Sequence, residues 1–315
     1  MADATITLEA RAAQTAERLL EMGEPKAAQD LLYAALSRAP SDVELLMPFA
    51  RACQVTGAEA LMVQIFDRAV AETPDLPIYM APDFFRRRSL ARDRGIPSVL
   101  LITLGQCGSL YLRSLFEDGL DMPWCYVCAP GYLDGYLLPS WMQRIAGGGA
   151  VCNEHANPTE ENVEILKRSG VTRMVLHDRD LRQSYISWCS HVLMAQGQFA
   201  SVEEMRETDT FAAFLDENLE RVVGQRAQWV NGWKDIAARH SDLDILFTHY
   251  EDMTDTPREF MNTLLEFYDI PADRFDFSLL KQKPVQGQKN YRKGERESWR
   301  SILNDDQLAR IRDLA

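Results

Sequence analysis

Apolar positions along the chain follow two patterns. Over residues 8 to 74 helix formers dominate, whereas from Ile96 onward short apolar runs alternate with stretches of helical character. The clearest unit is PSVLLITLGQCGSLYLRSLFEDG, residues 97 to 119, which reads as a buried strand, a turn of small residues and a helix from 108 to 118. Later, VTRMVLH and DILFTHYE read as strands, with helices predicted at about 180 to 196 and near 211 to 240. Such alternation predicts an α/β fold with a parallel sheet flanked by helices, preceded by an all-α region. The expected division is a helical domain over 1–80, a basic linker over 81–95 and an α/β domain over 96–315.

Inside the helical region two segments align at one offset. Gly23, Leu31, Leu32, Ala35 and Pro40 recur as Gly57, Ile65, Phe66, Ala69 and Pro74, 34 residues later in every case. That period, with glycine between paired helices and proline after the second, resembles the tetratricopeptide repeat, although the usual tryptophan and tyrosine positions are not evident. An all-α helical-repeat domain is therefore expected. Two repeats are too few to bury their apolar faces alone, so they should dock on the following domain or on another copy of the chain. Binding of a protein partner and a structural or self-associating role both stay open.

Composition narrows the function classes. The chain has 315 residues, 46% of them hydrophobic and 26% charged, with 34 basic against 47 acidic residues and a net charge of −13. This acidity argues against general affinity for nucleic acid or an anionic membrane, so any anion must be captured by local groups. The start, MADATITLEARAAQ, has neither a basic opening nor an apolar core, and no later run approaches membrane-spanning length; a cytoplasmic protein is expected. Six scattered cysteines read as reduced thiols. Five arginines between Arg86 and Arg94 form the basic cluster of the chain, expected to be a solvated linker face more than a surface that meets an anionic substrate.

A strand running through a glycine turn into a helix aims free N–H groups and the positive end of the helix dipole at one point, which makes an anion site. The turn Gly105-Gln106-Cys107-Gly108-Ser109 resembles a phosphate loop without the Gly-Lys-Ser/Thr ending of an NTPase, so the sheet is expected to be P-loop-like. Ligands of such sheets sit beyond the carboxyl ends of the strands. At the end of VTRMVLH, Arg179 and, eight residues on, Ser187 suit a phosphate clamp, because an arginine fork matches oxyanion geometry. Arg292 and Lys293 beside Gly294 form a third basic element in a stretch with no strand or helix pattern.

Taken together, these pieces resemble the PAPS-dependent sulfotransferase family. The resemblance rests on Arg179-Asp180-Leu181-Arg182 with Ser187, on Tyr250-Glu251-Asp252-Met253, and on Arg292-Lys293-Gly294 with Trp299 five residues after the glycine, in the family's order and spacing. It covers the chain from about Ile96 to the end. It implies transfer of a sulfuryl group from 3′-phosphoadenosine 5′-phosphosulfate (PAPS) to an acceptor hydroxyl on a carbohydrate, lipid, small metabolite or protein. By the same resemblance Arg179, Ser187, Arg292, Lys293 and Gly294 hold the 3′-phosphate, and the turn from Gly105 to Leu110 holds the 5′-phosphosulfate. His155, 24 residues before Arg179, stands where the family has its catalytic base, with His177 a weaker candidate.

Two departures stand out. Gln106 occupies the position of the family's loop cation and is taken as catalytic through its amide, with Lys293 or an arginine of the 86–94 cluster as substitute cations; Asn153 and Glu154 replace the lysine before the histidine. A lost transition-state donor costs on the order of a hundredfold to a thousandfold in rate, so the alternative is a nucleotide-binding protein whose repeats recruit a partner. Cys125, Cys128, Cys152 and His155 also make a C-x-x-C and a C-x-x-H that could bind zinc, but the apolar flanks favour buried thiols, and no metal is expected. The aromatic and glycine-rich stretch from Cys128 to Gly149 is either the acceptor pocket with its lid or core packing.

Overall fold

Local signals divide the first region into helices. In the computed structural model, which describes residues 7–73, 80–128, 135–197, 199, 201–281 and 299–315, four helices come first: α1 (Leu8–Glu21), α2 (Pro25–Leu36), α3 (Val43–Thr56) and α4 (Glu59–Glu72). The chain reverses inside each pair at Gly23 (φ 77°) and Gly57 (φ 68°), backbone conformations that disfavour a Cβ, which explains why glycine returns at that offset. Leu32 and Phe66, and Ala35 and Ala69, are all buried, as equivalent positions of two hairpins would be. Pro74 lies outside the described residues. The helices dock on the rest of the chain, where the Asp67 carboxylate of α4 accepts the Ser140 N–H at 2.7 Å.

After α5 (Phe84–Asp93) the chain builds a five-stranded, all-parallel sheet in the order β2-β3-β1-β4-β5. The strands are β1 (Val99–Thr103), β2 (Trp124–Cys125), β3 (Val151–Glu154), β4 (Arg173–Asp178) and β5 (Asp244–His249). Helix α6 (Ser109–Gly119) follows β1, α7 (Pro139–Ile145) precedes β3, and α8 (Glu160–Ser169) joins β3 to β4. Between β4 and β5 run α9 (Leu181–Ala195), α10 (Val202–Arg206) and the 31-residue α11 (Asp209–Arg239). The chain then continues through α12 (Tyr250–Asp255), α13 (Pro257–Phe267), α14 (Trp299–Ile302) and α15 (Asp305–Leu314).

Strand side chains alternate between the two faces. Leu100, Ile102, Cys152 and Leu176 face Trp141, Leu166 and Trp233, in one apolar core continuous with the four N-terminal helices. Val99, Leu101, Val151 and Val175 face Phe116 of α6 and Leu264 of α13. β1, in the middle, is fastened from the side. The buried Tyr268 hydroxyl donates to the Leu100 carbonyl at 2.8 Å and accepts the Leu100 N–H at 3.1 Å.

Two readings meet the structure here. The arginine cluster lies on and just after α5, whose Phe84 and Ala91 are buried; Arg86, Arg92 and Arg94 are exposed, as on a solvated face, while Arg87, Arg88 and Arg94 also tie the helix to the amino ends of the strands. Arg88 Nε donates to the Gly148 carbonyl at 2.9 Å, its Nη2 to the Arg144 carbonyl, Arg87 reaches Glu117, and Arg94 the Leu120 and Asp121 carbonyls. These arginines stand at the end of the sheet away from the Gly105 turn and supply no cation to it. Nor is the described part of the aromatic stretch a lid, because Leu137, Leu138, Trp141 and Met142 are fully buried; residues 129–134 lie outside the described residues. All six cysteines are buried thiols outside any disulfide. No helix among the described residues is long and apolar enough to cross a membrane.

Candidate active site

β1 ends at Thr103 and delivers Gly105 to Ser109 at the carboxyl edge of the sheet. Gln106 (φ 69°) and Gly108 (φ 81°) both take left-handed backbone conformations, which bend the turn so that α6 starts immediately after it. At Gly108 glycine is required twice over, by its φ and because a Cβ would lie 2.9 Å from the Tyr250 ring. Gln106 has no such freedom and holds its conformation at some cost, a sign that surrounding contacts dictate it.

Those contacts come from two distant motifs. Arg179, just beyond β4, donates from Nη1 to the Gln106 carbonyl at 3.2 Å and lies over the Tyr250 ring, 4.1 Å from its centre. Ser187, two turns into α9, donates to the Gln106 side-chain oxygen at 3.3 Å. Glu251 accepts the Asp180 N–H at 3.4 Å, tying α12 to the same corner. Arg179, Ser187 and the turn therefore converge, with Tyr250 as the plate beneath them. The Arg179 Nε is buried without a hydrogen-bond partner among the described residues, and burial holds this guanidinium below its usual pKa. A donor in that state suits an incoming oxyanion. Beside it a cavity of about 230 Å³ is lined by Arg179, Asp180, Lys234 and His249.

Two histidines end the strands that flank β1. His155 follows β3, and its Nδ1 meets the Thr103 carbonyl at 2.6 Å, so Nδ1 carries the proton and Nε2 keeps the lone pair. The Ala156 carbonyl next to it accepts the indole N–H of Trp229 (2.9 Å) and of Trp233 (3.1 Å), which fixes this turn against α11. His177 is different. It is fully buried, bonded to the Thr248 hydroxyl (2.9 Å) and the Cys107 carbonyl (3.2 Å), and burial pushes its pKa down to about 4. It is a neutral strut beneath the turn. Glu154 is spent on the N–H groups of Val127 and Cys128.

Cys125 and Cys152 sit side by side on neighbouring strands, Sγ to Sγ 3.3 Å, while the His155 Nδ1 is engaged elsewhere. Among the described residues no group of three or more His, Cys, Asp or Glu is placed to hold a metal ion. Arg292, Lys293 and Gly294 lie outside the described residues; the Trp299 that follows them packs under Arg182, 3.8 Å from guanidinium to ring centre.

A family model described as "Sulfotransferase domain" matches residues 161–315. The C-terminal half of this chain is a sulfotransferase domain. Sulfotransferases of this kind take their sulfuryl group from PAPS. The matched stretch of the sulfotransferase domain contains Arg179, Ser187, Tyr250 and Trp299, while the Gly105 turn and His155 precede it and join it through strand pairing and the contacts above. Among solved structures, mouse sulfotransferase SULT7A1 complexed with PAP aligns with a TM-score of 0.49 at 16% identity, covering 69% of this chain and 82% of that one. No curated protein matches the chain.

Reading motifs along the chain missed Tyr250 as a plate, since a ring-to-guanidinium stack leaves no local trace. It also missed Arg226 of α11, which donates from Nε to the Ser184 hydroxyl at 3.0 Å, itself bonded to the Gly105 carbonyl at 3.1 Å. Nothing in the neighbouring sequence of a long helix singles out this arginine.

Proposed function

We propose that the protein transfers a sulfuryl group from PAPS to the hydroxyl of an acceptor, at the carboxyl ends of β1, β3 and β4. The observation that carries this reading is the buried Arg179 guanidinium beside the turn, stacked on Tyr250 with an Nε lacking a partner among the described residues. Arg179 and Ser187, joined by Arg292, Lys293 and Gly294, bind the 3′-phosphate. The N–H groups of Gly105 to Leu110 bind the 5′ end, with the positive end of α6 behind them. When bound, PAPS supplies an activated sulfur whose bond to the phosphate oxygen breaks as the acceptor oxygen attacks in line. The His155 Nε2 takes the acceptor's hydroxyl proton, and Thr103 keeps the ring in the tautomer that can do so. Positioning supplies most of the acceleration, as in phosphoryl transfer.

The acceptor is a hydroxyl compound of the carbohydrate, lipid, metabolite or protein class. The helices α1 to α4 act as tetratricopeptide-like repeats that engage a protein partner or a second copy, and the division at 1–80, 81–95 and 96–315 follows from that role. Buried free thiols suit a reducing cytoplasm. One observation favours a second reading, a nucleotide-holding protein without turnover: Gln106 stands where a cation would serve the leaving group.

Calorimetric titration with 3′-phosphoadenosine 5′-phosphate (PAP), the desulfated product, tests the site. Binding by the wild type, weakened about tenfold or more in Arg179→Ala, is expected. His155→Gln should bind PAP normally and lose about a hundredfold or more in sulfuryl transfer. A wild type that ignores PAP rejects the proposal, and PAP binding without transfer to any acceptor favours the second reading.

A further inference from the structure

We infer that Arg226 is the cation of the anion-binding turn and contacts the 5′-phosphosulfate from α11, filling the part that Gln106 leaves out. The inference rests on the reading proposed above. Three observations carry it. The first is placement: the Arg226 Nη2 comes within 3.8 Å of the point where a Cβ on Gly105 would stand, so the guanidinium lies against the first residue of the turn. Its Nε is held by the Ser184 hydroxyl at 3.0 Å, and that hydroxyl donates to the Gly105 carbonyl at 3.1 Å, so helix, clamp and turn share one rigid link.

The second is the missing counter-charge. Arg226 forms no ion pair with a carboxylate among the described residues; its neighbours are the Val222 carbonyl (3.4 Å), the Trp188 ring (6.0 Å to the centre) and a second cation, Arg221, near the same ring. Burial lowers its pKa to about 10, which leaves it charged at neutral pH. A desolvated guanidinium without an anion is costly, and the same group with an oxyanion in reach is well matched. Its Nη2 has no hydrogen-bond partner among the described residues, so a donor remains on the side of the turn.

The third is alignment with the proposed base. Arg226 and Trp229 are three residues apart on α11 and share a face, and Trp229 holds the Ala156 carbonyl beside His155. One helix therefore sets the cation at the turn and the base at the end of β3.

The test compares PAP with adenosine 3′-monophosphate, which lacks the 5′ anion, by calorimetry on the full chain. Arg226→Gln should lose about tenfold or more in affinity for PAP and keep its affinity for the 3′-monophosphate, whereas a merely structural role would weaken both. Arg226→Lys should retain most PAP affinity. Placing the charge on the turn itself, in the double variant Arg226→Gln/Gln106→Lys, should recover at least part of the loss, which no packing defect would allow. Equal weakening for both ligands, unchanged PAP affinity in Arg226→Gln, or no recovery in the double variant overturns the inference alone. A wild type that binds neither ligand overturns the functional reading and this inference with it.

Discussion

His155 and His177 end the strands on either side of β1, and only what their ring nitrogens meet separates a base from a strut. The His155 Nδ1 is bound to the Thr103 carbonyl and its other nitrogen keeps a lone pair, while both nitrogens of His177 are engaged in the interior. Burial drives the His177 pKa from 6.5 to about 4. Between those values the unfolded chain binds a proton that the folded chain refuses, so stability falls as pH drops through this window, by about 3 kcal/mol in full. His249 works in the other direction. Its bond to Asp178 raises its pKa, so its stabilisation is present at low pH and fades as pH rises through its folded value. Urea unfolding at pH 7 and pH 5 should therefore show a large loss at pH 5 in the wild type and a smaller one in His177→Gln. Equal losses would show that this imidazole is not the titrating strut.

Elements were legible in the sequence wherever their signal is local. The run VLLIT with its glycine turn, the strand ending at His177 and the long helix α11 declare themselves by period and by flanking residues, and the parallel sheet follows from their alternation. The turn, Arg179 and Ser187 were legible for the same reason, each being a short pattern at the end of one strand. The anchoring of Arg88 and Arg94 was not, because carbonyls at Gly148 and Leu120, far away in sequence, decide it. Arg226 and Tyr268 were hidden likewise, since each acts on an element other than its own. Tyr268 illustrates the size of such effects. Its hydroxyl accepts the Leu100 N–H and donates to the Leu100 carbonyl in the central strand, so Tyr268→Phe orphans that N–H in the interior, while the carbonyl keeps its place in the ladder to β4. Equilibrium denaturation should show a loss of about 1–3 kcal/mol for the unsatisfied group, with the turn at the far end of β1 loosened and PAP affinity reduced. A loss below about 0.5 kcal/mol would mean that water or a rearranged strand takes over this bond.

For the whole molecule, the question is whether the helical region is an attachment or a part of the core. One apolar cluster runs from Ala12 and Leu32 through Phe66, Trp141 and Met142 to Ile102 and Leu176 of the sheet, and Asp67 caps α7 across the junction. A chain starting at residue 80 should expose the face of α7 that α4 covers, and it should melt lower or aggregate relative to the full protein. Differential scanning calorimetry and light scattering on the two proteins decide this, and an unchanged melting temperature for the short chain would make the helices a detachable module. The distribution of charge has a further consequence, one of rate. Arg87, Arg88 and Arg94 are bound to carbonyls at the amino end of the sheet, while the proposed anion site opens at the carboxyl end of a molecule carrying −13. A polyanionic nucleotide therefore approaches against a long-range repulsive field and is captured only within a few ångströms of Arg179 and its neighbours. Added salt then acts on the two stages with opposite sign, quickening the encounter as it weakens the grip, so association at this site is fastest where the bound state is no longer at its tightest.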